Sequence, residues 1–283
     1  MKTCDLHTHS TASDGSDTPS ELMALAAKVG LAAIALSDHD TVAGLSEAAA
    51  AAARLGIEFI PAVELSCQFH KGNMHMLGYY IDPEEGSFLE VLSQVQAARA
   101  ERNPRILEKL AALGVPVTME EIEAISHGGQ VGRPHIARAM VEKGYVKDVS
   151  QAFDRYLKRG AKAYAPKSIL APEAAISAIK GAGGIAVLAH PFSLQARDLQ
   201  ELQAIVADLK SKGLMGMECY YSEHSPEFTR QCIDLARSMG LAVTGGSDYH
   251  GKAKPYIKLG RGKGDLAVPY ECVEELKKLK YGA

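Results

Sequence analysis

The sequence predicts an α/β protein, a (β/α)7 barrel with an inserted helical subdomain. Three observations lead there. Apolar runs of strand length alternate with helix-like segments about seven times along the chain. Nearly every residue able to carry chemistry falls at the C-terminal end of such a run, the rim on which a (β/α) barrel gathers its functional groups. Between residues 85 and 164 the alternation gives way to successive helical patterns with charged faces, broken at Gly114, Gly128-Gly129 and Gly144. A length of 283 residues suits one barrel, formed by 1–84 and 165–283, with 85–164 as an inserted helical subdomain over the site.

Cys4 to Leu6 ends a short buried strand, and strand alternation turns His7 and His9 to one side with Thr8 opposite. Asp14-Gly15 follows in a Ser/Thr/Asp/Gly loop, where a carboxylate folds back over the same opening. Thr18-Pro19-Ser20-Glu21 starts a helix to about Val29, with a capping residue, a first-turn Pro and a Glu at the third position. Leu31 to Leu36 reads as a parallel strand covered on both faces, delivering Ser37-Asp38-His39-Asp40-Thr41. The Ala-rich Val42–Leu55 segment is a packing helix. Ile57 to Leu65 is the next strand, with Glu64 at its end, and Met74 to Tyr80 is another, containing His75.

Helices over Phe88–Leu113, Met119–Ser126, His135–Lys143 and Val149–Leu157 make the insertion. Arg133 and His135 stand at a helix entry, where free amides and the dipole favour an anion. From Pro172 a helix reaches Gly181, and the strand Gly184–Ala189 ends in His190-Pro191. A helix over Leu199–Lys212 precedes the strand Leu214–Tyr220, which runs into Tyr221-Ser222-Glu223-His224. A helix over Pro226–Met239, a strand over Leu241–Thr244 closed by Gly245-Gly246-Ser247-Asp248-Tyr249-His250, and a helix over Pro269–Lys280 complete the chain.

Composition bounds the function. Hydrophobic residues at 47% and charged residues at 23% are ordinary for a soluble globular protein. A formal charge of −3 argues against a protein that coats duplex DNA, while leaving room for a local cationic pocket. Cys4, Cys67, Cys219, Cys232 and Cys272 contain no Cys-x-x-Cys pair and suggest neither a disulfide framework nor a zinc ribbon. With no charged-then-apolar leader and no apolar run near the ~20 residues that cross a bilayer, the expected home is the cytoplasm, with no membrane or obligate protein partner.

A single His-x-His is ordinarily a pair of satisfied histidines. Joint placement changes the reading, because six of the ten histidines are predicted at one rim. His7, His9, Asp14, His39, Glu64, His75, His190, Asp248 and His250 bring six imidazoles and three carboxylates together, a crowd that calls for cations. Mixed nitrogen and oxygen donors fit zinc, manganese or iron, and nine ligands are enough for two or three divalent ions.

The ordered set His7-x-His9 with Asp14, Ser37-Asp38-His39-Asp40, Glu64, His75, Ala189-His190-Pro191 and Ser247-Asp248-x-His250 resembles the successive motifs of the PHP family, named for polymerase and histidinol phosphatase. The resemblance implies a distorted seven-stranded barrel and a trinuclear site, commonly with manganese. Carried over by position, it puts His7, His9, Glu64 and Asp248 on one ion, Glu64, His75 and His190 on a second, and Asp14, His39 and His250 on a third. The insertion with Arg133-Pro134-His135 resembles the stand-alone branch that removes the 3′-phosphate of nucleoside 3′,5′-bisphosphates and degrades short RNA 5′→3′. Members of that branch often carry a cation soon after the His-Pro, whereas Phe192-Ser193 follow in this chain and the next cation is Arg197.

The expected chemistry is phosphoester hydrolysis by a hydroxide bridging two metals, with Glu64 as a bridging ligand. Arg133, His135 and Arg197 are the expected phosphate contacts, and His224 the group that bonds a phosphoryl oxygen or protonates the leaving group. Asp38 and Asp40 orient imidazoles, or Asp40 caps the following helix. Other readings are a phosphatase for 5′-AMP or histidinol phosphate, a barrel amidohydrolase, which would want a carboxylated lysine at a strand end, and a non-catalytic phosphate sensor.

Overall fold

A computed structural model describes residues 2–126, 128–166 and 170–282. The chain opens with β1 (Thr3–Asp5), α1 (Pro19–Val29), β2 (Ala33–Leu36), α2 (Leu45–Leu55), β3 (Glu58–Cys67) and β4 (Met74–Tyr79). The helical stretch follows, with α3 (Gly86–Ala112), α4 (Met119–Ser126), α5 (Arg133–Glu142), α6 (Val149–Ala152) and a π-turn over Phe153–Leu157. The chain ends with α7 (Pro172–Gly181), β5 (Ile185–Leu188), α8 (Leu199–Ser211), β6 (Gly216–Tyr221), α9 (Pro226–Ser238), β7 (Ala242–Gly246), β8 (Val268–Pro269) and α10 (Glu271–Tyr281). Thr18 caps α1 in the reciprocal box with Glu21, and Gly30 closes it in the left-handed conformation, as the local sequence requires.

The strands form one sheet in the order β7-β6-β5-β4-β3-β2-β1-β8. Across the seam the Leu6 N–H reaches the Gly245 carbonyl at 3.1 Å, Asp248 N–H the His7 carbonyl at 2.9 Å, and His9 N–H the Tyr249 carbonyl at 2.9 Å, so the barrel is nearly closed. Leu6, Ile34, Leu36, Ile60, Leu65, Met76 and Leu77 are fully buried in one apolar core built on both faces of this sheet.

Two features go beyond the expected βα repeat. Strand β4 runs antiparallel to both β3 and β5, because residues 68–73 are too few for a parallel crossover, which needs about a dozen or more. Paired in that hairpin, β3 continues three residues past Glu64, which therefore lies inside a strand and not at its end. An eighth short strand, β8, pairs antiparallel with β1 in a segment expected to be the start of the last helix.

The first half of α3 adds Phe88 and Leu92 to the barrel core, while its second half adds Ile106 and Leu110 to a separate apolar cluster with Ile122, Ile136, Met140 and Leu157. Pro104 falls between the two sets of contacts.

The seam depends on Gly246, where an added Cβ would stand 2.3 Å from His7 Cβ and 2.4 Å from its backbone nitrogen. Gly246→Ala is expected to destabilise the protein by about 1–3 kcal/mol, read as an earlier urea midpoint with the slope unchanged.

Candidate metal centre and cationic cavity

All nine expected ligands meet at the C-terminal rim of the barrel. Glu64, 1% exposed, is at their middle. Its Oε1 stands 2.7 Å from His75 Nδ1 and 2.9 Å from His190 Nε2. Its Oε2 stands 3.2 Å from His7 Nε2, 3.3 Å from His9 Nε2 and 3.0 Å from His39 Nδ1. Asp248 Oδ1 faces His9 Nε2 at 3.3 Å and His7 Nε2 at 3.6 Å, and Asp14 Oδ1 faces His250 Nε2 at 3.2 Å. Donor atoms within 4.8 Å of one another fall into four overlapping sets: His9-Asp14-His39-His250, His7-Glu64-His190, His7-His9-Asp248 and His39-Glu64-His75.

The hydrogen bonds made by the outer ring nitrogens decide what the inner ones can do. His7 Nδ1 donates to Glu218 Oε1 at 3.0 Å and His250 Nδ1 to the Asp248 carbonyl at 2.8 Å. His190 Nδ1 donates to Ser193 Oγ at 2.7 Å, since that hydroxyl spends its own hydrogen on the Asn73 carbonyl at 2.8 Å. In a neutral ring each of these bonds leaves Nε2 as a lone pair aimed inward, the tautomer a metal ligand needs. His7 Nε2, both His9 nitrogens, His39 Nδ1 and Glu64 Oε2 are buried without a hydrogen-bond partner.

Lone pairs and carboxylate oxygens packed at this spacing repel unless positive charge lies among them. Bonds of about 2.1 Å to a tetrahedral ion put its donors roughly 3.4 Å apart, close to the contacts found, so the residues fit divalent ions. Burial and the buried carboxylates pull the titration of these rings in opposite directions. Burial pushes His75 and His250 down to about 4, and both are neutral near pH 7. Burial also opposes charge on His7, yet Glu218 and Glu64 outweigh it and hold its pKa well above the ordinary imidazole value. Glu64 is held well below the usual carboxylate range against its own burial by His39, His75 and His7.

Buried partners hold the donors in place. Asp38 accepts from the Ser10 amide at 2.8 Å and from the Ser10 and Ser13 hydroxyls, shaping the loop that carries Asp14. Asp5 accepts from the amides of Ser247 and Gly260, both at 2.8 Å, beneath Asp248. Tyr221 Oη at 2.9 Å and Lys254 Nζ at 2.7 Å both bind Asp248 Oδ2, which turns Oδ1 toward His7 and His9. Glu218 bonds the His7 ring and, at 2.7 Å, the His190 amide.

A cavity of about 360 Å³ opens between this rim and the helical stretch, lined by Asp14, His39, His75 and His250 on the barrel and by Arg99, Arg102, Arg133 and Arg159 across from them. Asp40 balances Arg99, whose Nε lies 2.9 Å from its Oδ2. Arg102 is 3% exposed, bonds Asn103 Oδ1 at 2.8 Å, and leaves its Nε without a partner. Burial, together with like-charge repulsion from Arg99 and Arg133, lowers its pKa to about 9. Arg133 gives one hydrogen bond, to the Leu157 carbonyl at 3.1 Å, and lies over the Phe153 ring. Among the described residues neither of these two guanidinium groups has a carboxylate partner in its hydrogen bonds, so this wall is suited to receive anions.

Three of the expected substrate contacts stand elsewhere. The His135 ring is 1% exposed and its Nδ1 accepts the Gly132 amide at 3.0 Å, so it caps α5 and does not line the cavity. Arg197 is 77% exposed and paired with Glu201 at 3.2 Å. His224 is packed against Tyr221 and Phe228 with its Nδ1 donating to the Cys219 carbonyl at 2.8 Å, behind Tyr221 and outside the cavity lining. Sequence reasoning missed Glu218, Arg99, Arg102 and Lys254. Glu218 had a signal, a lone carboxylate inside an apolar strand. The arginines, three residues apart on one face of α3, look like any solvated helix face.

A barrel rim with this donor set, facing a cationic cavity, defines a metal-dependent phosphoesterase. The family model for the PHP domain matches residues 5–165, and the chain belongs to that family. It is 36% identical over 261 residues to the 5′-3′ exoribonuclease Rnm of Escherichia coli, covering 91% of this chain and 88% of that one. It is also 36% identical over 252 residues to the 3′,5′-nucleoside bisphosphate phosphatase of Chromobacterium violaceum, covering 88% of each. A solved candidate metal-dependent phosphoesterase from Bifidobacterium adolescentis superposes with a TM-score of 0.86 at 32% identity, over 98% of this chain and 96% of its own.

Glu218→Gln keeps the shape and removes the charge under His7. Metal affinity is expected to fall about 10- to 100-fold in a titration followed by calorimetry, with the unfolding midpoint changed far less. Unchanged affinity would remove Glu218 from the centre.

Proposed function

We propose that this phosphoesterase removes the 3′-phosphate of nucleoside 3′,5′-bisphosphates and degrades short RNA from its 5′ end, with manganese in the sets His7-His9-Glu64-Asp248, Glu64-His75-His190 and Asp14-His39-His250. The relatives' activities support the reading. The observation that carries it is a pair of arginines, the buried Arg102 and the half-buried Arg133, across the cavity from the imidazole rim. A substrate with one phosphate needs a receptor for that phosphate alone, whereas a bisphosphate, or a 5′-phosphorylated RNA end, brings a second anion for the guanidinium wall.

In this scheme residues 1–84 and 165–283 supply the barrel and residues 85–164 the helical cover. Divalent ions supply Lewis acidity toward the scissile phosphate and acidify water. Glu64 divides its two oxygens between neighbouring sets and stays ionised. Arg133 and Arg102 hold the remote phosphate, and His135 fixes the first turn of α5 from which Arg133 projects. Lys254, bound to Asp248, is an ammonium in an ion pair and unsuited to the carboxylated role an amidohydrolase would want. Five buried free cysteines suit a reducing compartment, and the cytoplasm is the proposed location.

Chelation should abolish turnover, and manganese should restore it. In a panel of adenosine 3′,5′-bisphosphate, 5′-AMP, histidinol phosphate and short 5′-phosphorylated RNA, the bisphosphate and the RNA are the expected substrates, and preference for histidinol phosphate would refute the reading. Arg102→Met and Arg133→Met should each raise KM for the bisphosphate at least about 10-fold, as the loss of a hydrogen bond to a charged group of roughly 1.5–3 kcal/mol dictates. Metal content should be unchanged in both.

A further inference from the structure

The segment 251–265 carries Lys252, Lys254, Lys258, Arg261 and Lys263 against a single acid, Asp265. It begins at the cavity mouth, where Ala253 and Lys254 form part of the lining. Further on, the Gly260 amide donates to the buried Asp5 Oδ2 at 2.8 Å, and Arg261 lines a hollow with Thr3 and Leu31, by the start of β1. The segment is anchored along its length. Ile257 and Leu259 are buried at 4% exposure each, and Lys258 and Gly262 exchange two backbone hydrogen bonds, of 2.7 and 2.8 Å. Gly262, at a φ of +54°, lies where an added Cβ would meet Ser222 Oγ at 2.5 Å.

The anchors leave Lys252, Tyr256, Lys258, Arg261 and Lys263 exposed, and Tyr256, at 59%, is among the most exposed large apolar side chains described. Lys263 has an acidic partner, Glu223 at 3.5 Å, and Lys252 feels Glu21. Among the described residues no ion pair engages Lys258 or Arg261, so a segment that starts at the mouth and is anchored along its length turns a succession of cations and an aromatic ring to solvent.

We propose that this row is a track for single-stranded RNA, holding the phosphates of nucleotides that trail out of the cavity while Tyr256 stacks on a base. The inference rests on the RNA activity proposed above and deepens it. Cations in line with an exposed aromatic are what a single strand recognises without regard to sequence. A mononucleotide held wholly inside the cavity would not touch the row, so the row matters only for the polymer.

The test compares kcat/KM for a 5′-phosphorylated pentaribonucleotide and for adenosine 3′,5′-bisphosphate, in wild type and in the double variant Lys258→Gln/Arg261→Gln, with manganese. The RNA value should fall about 10-fold, equivalent to ~1.4 kcal/mol, and the bisphosphate value should stay within about twofold. The salt dependence of the RNA value should become shallower by about 1.4 in log–log slope, as expected for two lost single-strand contacts. Tyr256→Ala should likewise lower the RNA value alone. Equal losses on both substrates, or no loss on either, would overturn the track while leaving the phosphatase reading in place. If the wild type turned over neither substrate, the functional reading would fall and the track with it.

Discussion

The constraint on which the structure turns is the Glu64 carboxylate. It is buried, ionised, and within 3.3 Å of a nitrogen from each of five imidazoles. An uncompensated carboxylate in such a place would cost several kcal/mol, and neutral imidazoles turned to face it with lone pairs would repel it. Glu218, Ser193 and the Asp248 carbonyl pin the outer nitrogens of His7, His190 and His250. They thereby withdraw the alternative in which these rings, while neutral, simply donate to Glu64 or, for His250, to Asp14. What satisfies every partner at once is positive charge among the inner atoms. The second ring of hydrogen bonds therefore specifies a cation site as strongly as the first.

Backbone strain collects around the same point. Among the described residues five non-glycine positions have positive φ, and His190 at +25°, Asp248 at +57° and Asp40 at +53° belong to the centre or its support. Such conformations cost of order 1–3 kcal/mol each and persist where their surroundings over-determine them. The surroundings do so. The His190 amide is held by Glu218 and that of Asp248 by the His7 carbonyl, while Arg99 and the Ser66 amide grip the Asp40 carboxylate. Strand ends that would otherwise relax are kept bent toward one another.

The gathering of the nine residues at one rim was legible in the sequence because strand periodicity and barrel geometry act locally. A histidine that ends an apolar run has few other places to go, and His7, His39 and His190 all follow that rule. Glu64 was found for a partly wrong reason, since β3 runs on to Cys67 and the rim lies at its level through the β3–β4 hairpin. The antiparallel sense of β4 was implicit in the short 68–73 loop, but apolar content alone does not encode direction. The arginine wall of the cavity was the hidden part. Arg99 and Arg102 reach the cavity only because α3 crosses from the barrel core to the second cluster, a tertiary fact with no local signature. His135 and His224 misled because a histidine near an active site is as good a cap or a packed ring as a contact.

That crossing helix also sets the distance between the two ends of the cavity. Gln96 on α3 donates to the Asp40 carbonyl at 2.9 Å, and Arg99 binds the Asp40 carboxylate together with Ser66 Oγ at 3.0 Å. Asp40 is the residue after His39, so the loop that presents an imidazole to the rim is bonded to the helix that presents Arg102 to the wall. A second tie comes from the far side, where Gln130 N–H donates to the Ala12 carbonyl at 3.1 Å, two residues before Asp14. Gly129 is needed there, because any Cβ would collide with the Thr11 carbonyl at 2.0 Å. With both ties made at residues adjoining the rim, the helical stretch is poorly placed to swing as a free lid. In the proposed function it would act as a spacer that holds the rim and the arginine wall at one separation, and a fixed separation would select for the length between two phosphates on one molecule.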